Sequence, residues 1–194
     1  MKGPGFLVLA AAAAAGSASL AQARPSAEDL YVQPTLRARL GPAFSLGSSQ
    51  PPAPMDGLSV GVELGGAIGW PGQGLADRLF EPSLWLLPEL GYAYRSDDAG
   101  GPPLHLGTLG LGVGYGNLLL ATVAYTPRLC VGAAAGETAV GLRHGLSVHF
   151  IGMLLSLELA HQLLHYSSGV LANELQLTVG ANLGSLFLLL SPFR

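Results

Sequence analysis

Apolar and small-or-polar residues alternate with period two through most of the chain. From Leu30 to Leu40 the even positions are Leu30, Val32, Pro34, Leu36, Ala38 and Leu40, and the odd ones include Gln33, Thr35, Arg37 and Arg39. Leu58 to Trp70 repeats this, with Val60, Val62, Leu64 and Ile68 opposing Gly61, Glu63, Gly65 and Gly69. Six more segments follow: Ser83–Arg95, Thr108–Tyr115, Leu119–Arg128, Val140–Phe150, Met153–Leu163 and Leu171–Phe187. Trp85 and Leu87 break the pattern in the third segment. Side chains on a strand must point alternately to opposite faces, so the pattern predicts eight strands of about ten or more residues. The weakest boundary separates strands six and seven, where His149 to Met153 holds little turn chemistry. A helix across Phe150–Tyr166 is the competing reading there.

The connecting segments fit an up-and-down order. The odd-numbered links, Ser45–Asp56, Ser96–Pro103, Gly132–Glu137 and Tyr166–Val170, are rich in Gly, Pro, Ser and Asp. Of the even-numbered links, those near Gly116-Asn117 and Ile151-Gly152 are tight, and Pro71–Glu81 is longer.

Two all-β architectures use such strands: a soluble secreted sandwich with its apolar face inward, and a membrane barrel with that face outward. The polar face carries Arg37, Arg39, Arg128 and Arg143 against Glu63, Glu89, Glu158 and Glu174. A closed eight-stranded barrel has an interior just wide enough for side chains, where an unpaired charge costs several kcal/mol. Four charges of each sign suit that space. Inward glycines (Gly61, Gly65, Gly69, Gly110, Gly112, Gly114) would leave room for long Arg and Glu chains. Trp70, Tyr115, Phe150 and Phe187 fall near the C-terminal ends of even-numbered strands, where they would form one interfacial girdle. Tyr92, Tyr94 and Tyr125 would supply the opposite one. The prediction is an antiparallel up-and-down transmembrane barrel of eight strands.

Composition narrows the setting. Lys2, an apolar run from Phe6 to Ala15 and Ala21-Gln22-Ala23 read as a cleavable secretory signal over residues 1–23, leaving the barrel domain at 24–194. The remainder has eight arginines and no lysine against twelve acidic residues, a net charge of −4. Nucleic-acid binding needs clustered positive charge, and none is present. One cysteine, Cys130, excludes a disulfide framework and a cysteine-cluster zinc site. Glycine reaches 28 of 194 residues, roughly double ordinary usage.

On these features the chain resembles the small eight-stranded outer-membrane proteins of the OmpA-barrel and OmpX type. The resemblance is architectural and carries no diagnostic motif. It implies a Gram-negative outer membrane, lipid and the barrel-insertion machinery as partners, a monomer and no cofactor. Members often end in an aromatic residue; here Arg194 follows Phe193, and Pro192 interrupts the strand.

Candidate chemistry is sparse. His161 and His165 stand about 13 Å apart on a strand and cannot share a metal; with His144 and His149 they read as interfacial or loop histidines. His165-Tyr166-Ser167 with Glu174 is similar to the His-x-Ser and later Glu of outer-membrane lipid A deacylases, although Ser168 replaces the expected asparagine and Glu174 falls in the inward register. Gly107–Gly116 lacks the features of a phosphate loop. The expected role is therefore structural or surface-interacting, with no catalytic or metal residues. Alternatives are an envelope-lipid enzyme, a narrow channel or apolar-ligand carrier, and the soluble sandwich.

Overall fold

Alternation of this kind can be satisfied only if every strand finds two neighbours and every inward side chain finds partners. The structure, a computed structural model, describes residues 30–48, 57–70, 80–96, 102–117 and 120–185. It contains eight strands: β1 (Tyr31–Ser48), β2 (Gly57–Gly69), β3 (Ser83–Arg95), β4 (Leu104–Gly116), β5 (Ala121–Ala134), β6 (Glu137–Phe150), β7 (Leu155–Tyr166) and β8 (Leu171–Asn182). Each pairs antiparallel with the next, and β8 returns to β1, closing the barrel. One sheet closed on itself replaces the two facing sheets of the sandwich alternative. The signal segment, the 71–79 link and Phe187 lie outside the described residues.

The register fixes the barrel's shape. Thr35 pairs with Gly65, and the path continues through Glu89, Gly110, Arg128, Arg143, Gln162 and Glu174 to Ser45. One circuit thus re-enters β1 ten residues beyond its start. Ten residues at roughly 3.3 Å each, across eight strands roughly 4.8 Å apart, give a tilt near about 40° and a radius of about 8 Å. Because ten is even, the two faces keep their identity around the whole circuit.

The lower end of the barrel, where β1 begins, carries the even-numbered links. Asn117 N–H donates to the Ala121 carbonyl at 3.1 Å, and Asn117 Oδ1 accepts from Leu120 N–H at 2.7 Å. Between β6 and β7 the chain reverses over residues 151–154, with Ile151 at φ 51° and Met153 at φ 61°. Left-handed conformations at such residues are uncommon, yet the reversal falls at the tight Ile151-Gly152 link expected from the sequence, with Gly152 itself at φ 65°. β7 begins at Leu155, and the helix competing for Phe150–Tyr166 does not form. At the upper end, β5 and β6 run on to a two-residue hairpin, Ala135-Gly136, with both φ values positive. That is the geometry whose twist matches paired strands. It extends β5 well beyond the expected Arg128. Tyr125 therefore sits in the lower part of β5 rather than at an upper girdle. Among the described residues no helix is long and apolar enough to cross a membrane.

Candidate functional site: the filled barrel interior

The two faces of the wall are sharply different. Leu64, Leu90, Leu109 and Val179 point outward and are each more than 60% exposed, whereas Arg37, Arg39, Glu63, Glu89, Arg128, Arg143, Glu158 and Glu174 point inward and none exceeds 5%.

Inside, the side chains form three layers along the axis. The lower layer is apolar: Trp85, Leu87, Ala67, Ala124 and Met153, with Tyr31 edge-on to Trp85 at 6.1 Å. Trp85 indole N–H donates to the Gly116 carbonyl at 3.0 Å. Trp85 and Leu87 keep the inward register of β3, and their apparent break in the pattern is this plug. The upper layer is also apolar: Ala93, Leu104, Leu106, Cys130, Ala139, Leu164 and Ala172, packed against Ala134 and Tyr166.

Between them lies a network of four arginines and three glutamates. Glu158 is its hub: Arg39 Nη1 approaches at 2.7 Å, Arg143 Nη2 at 2.6 Å and Arg128 Nη2 at 2.8 Å. Glu63 pairs closely with Arg39, and meets Arg128 at 3.4 Å and Arg37 at 3.8 Å. Glu89 pairs closely with Arg128 and meets Arg37 at 3.7 Å. These contacts join β1, β2, β3, β5, β6 and β7 across the lumen. Removing a charge from water costs several kcal/mol, recovered only when paired and hydrogen-bonded partners surround it.

The eighth expected residue stands apart. Glu174 pairs with Arg95 near the upper end and accepts from Gln162 Nε2 at 3.3 Å. Arg95 was not expected as a partner. With it, the described interior holds five arginines to four glutamates rather than four of each. The strand pattern already placed Arg95 in phase with Glu89 and Ala93, the signal by which it could have been found.

The inward glycines make this network possible. A Cβ at Gly110 would stand 2.8 Å from Arg128 Cγ and 3.3 Å from Glu89 Cγ. One at Gly145 would stand 2.6 Å from Arg128 Nη1.

The residues similar to the deacylase triad are not brought together. His165 and Ser167 are exposed on the outside and at the rim, while Glu174 is buried in the lumen with Arg95. The intervening sheet separates base from carboxylate. Another serine–histidine contact exists, Ser147 Oγ to His149 Nε2 at 2.9 Å, but both groups are buried on the inner face, so His149 is not the interfacial or loop histidine expected. Of the expected lower girdle, Tyr115 and Phe150 are exposed on the outer wall and Trp70 is half-buried at the end of β2. The other histidines are outward: His105 Nδ1 contacts Tyr92 Oη at 2.5 Å, His144 Nδ1 contacts Tyr125 Oη at 2.6 Å, and His161 Nε2 contacts Asn173 Oδ1 at 2.6 Å. Among the described residues no group of three or more His, Cys, Asp or Glu converges on a metal position.

Comparison with protein-family models, curated proteins and solved structures finds no match.

Proposed function

We propose that this chain is exported, spans the outer membrane of a Gram-negative bacterium as a barrel with a side-chain-filled interior, and acts there as a structural or surface-interaction protein. The observation that carries this reading is the inversion of burial: leucine and valine cover the outside while nine charged groups are enclosed. In water such a wall would be an apolar surface far larger than a soluble monomer tolerates. In lipid it is the favoured surface, and closure leaves no unpaired sheet edge. A 13-residue strand at the tilt derived above rises about 33 Å, enough for an apolar band of about 25 Å with interfacial margins. The radius and packed layers support a filled lumen, since aqueous channels need about twice as many strands. The separation of His165 and Ser167 from Glu174 favours a non-catalytic role over the deacylase-like one. The expected partners are outer-membrane lipid and the insertion machinery.

Fractionation of cells expressing the full chain tests the reading. Recovery with outer membranes, with gel migration that changes on boiling, is the expected result. A soluble periplasmic product would overturn it. In planar bilayers the refolded barrel should give no stepwise conductance.

A further inference from the structure

Three guanidiniums converge on one carboxylate oxygen. Glu158 Oε1 accepts from Arg143 Nη2 at 2.6 Å, from Arg39 Nη1 at 2.7 Å and from Arg128 Nη1 at 3.2 Å. Arg39 also reaches Glu63, and Arg128 reaches both Glu63 and Glu89. Arg143 has no second carboxylate among the described residues. Its direct partner across β5 and β6 is Arg128, which carries the same sign, and like charges so placed repel. Arg143 is 2% exposed, and its Nε–H is enclosed without a hydrogen-bond partner. Arg39 Nε is enclosed in the same way.

The charge count points to the same place. Between the apolar layers four arginines meet three glutamates, and the Arg95–Glu174 pair above them is neutral, so the described lumen keeps one positive charge uncancelled. A guanidinium does not give up its proton in a protein. Protonation of a glutamate or of His149 would only enlarge the surplus. The apolar layers above and below hold the network away from the rims and their water, and a buried charge without a counter-charge is costly.

We propose that the lumen binds one small monovalent anion, of the chloride type, beside Arg143, with Arg143 Nε–H as its donor and the Arg39 guanidinium as the neighbouring cation. One negative charge cancels the surplus, whereas a divalent anion reverses it. A monatomic ion also suits a lumen already filled by side chains. The inference rests on the enclosure of these charges and holds whatever surrounds the wall.

The test uses untagged mature protein refolded in detergent, with chloride exchanged stepwise for gluconate at constant pH and ionic strength. Boiling-dependent migration confirms the folded barrel in each sample. The expected result is a urea midpoint that rises with chloride at constant slope. Above the dissociation constant, the folding equilibrium constant should grow about tenfold per tenfold rise in free chloride. Bromide should act likewise, and in crystals grown with bromide its anomalous peak should lie beside Arg143 Nε. Arg143→Gln, or Arg143→Met if the first variant does not fold, should remove the dependence, while Glu137→Gln at the rim keeps it. A wild-type midpoint indifferent to chloride, an equal response in the folded Arg143 variant, or bromide found only outside the lumen would overturn the proposal.

Discussion

Arg128 and Glu158 face each other fork to fork, with Nη1 3.2 Å from Oε1 and Nη2 2.8 Å from Oε2, although 30 residues separate them in sequence. Such bidentate pairs are the strong members of their class. Glu158 also holds Arg39 and Arg143, so its neutralisation removes Arg143's carboxylate partner and leaves Arg39 and Arg128 to Glu63 and Glu89 alone. Glu158→Gln should lower stability by about 3–5 kcal/mol in urea unfolding from lipid vesicles. Glu137→Gln, at a rim carboxylate that accepts from Ser168 Oγ at 2.6 Å, should cost under about 1 kcal/mol.

Two glycines on the same strand should respond oppositely. A methyl at Gly110 enters the network against Arg128 Cγ and the Pro127 carbonyl, 3.1 Å away. Overpacking there should cost about 1–3 kcal/mol. Gly107 faces outward, and its Cβ would meet only the Val131 carbonyl at 3.5 Å. Gly107→Ala should be neutral to stabilising by up to about 1 kcal/mol, and parallel unfolding curves compare the two.

Ala135 occupies the first position of the β5–β6 hairpin at φ 53°, followed by Gly136 at φ 83°. Left-handed backbone costs an ordinary L-residue about 1–2 kcal/mol, and asparagine tolerates it. Ala135→Asn should therefore raise unfolding stability by about 0.5–1 kcal/mol, measured by the urea midpoint at constant slope.

Trp85 closes the lower lumen with its ring against Leu87 and Met153 and its N–H on Gly116. Trp85→Ala should cost about 3–5 kcal/mol. Trp85→Phe, which keeps the apolar bulk and loses the hydrogen bond, should cost about 1–2 kcal/mol.

Strand number, strand order and the inward register of Arg37, Glu63, Glu89, Arg128, Arg143, Glu158 and Glu174 were legible, because a two-residue period admits no other assignment once a face is chosen. Two features were not. Trp85 and Leu87 looked like errors of phase, since alternation was read as apolar against polar, and a lumen closed by apolar layers violates that contrast while keeping the period. The reversal at residues 151–154 falls at the expected Ile151-Gly152 link, but its backbone was not legible: positive φ falls on Ile151 and Met153 as well as on Gly152, and composition flags only the glycine.

The deacylase-like residues show a different limit. Short spacing between His165 and Ser167 is visible in the sequence, but strand alternation puts Glu174 on the inner surface, where Arg95 already holds it. The spacing of the motif does not say which side of the sheet its members occupy; the two-residue period does, and it had already turned Glu174 inward.

Which face meets the hydrocarbon can be read from fluorescence in vesicles whose acyl chains are brominated near mid-chain. Trp70→Phe leaves Trp85 alone inside the barrel. Trp70→Phe/Trp85→Phe/Leu111→Trp places a single indole at an outward position that is 56% exposed. Strong quenching of the indole at position 111, with Trp85 unaffected, is the predicted result. Quenching of Trp85 with the outward indole spared, or no quenching of either, would contradict it.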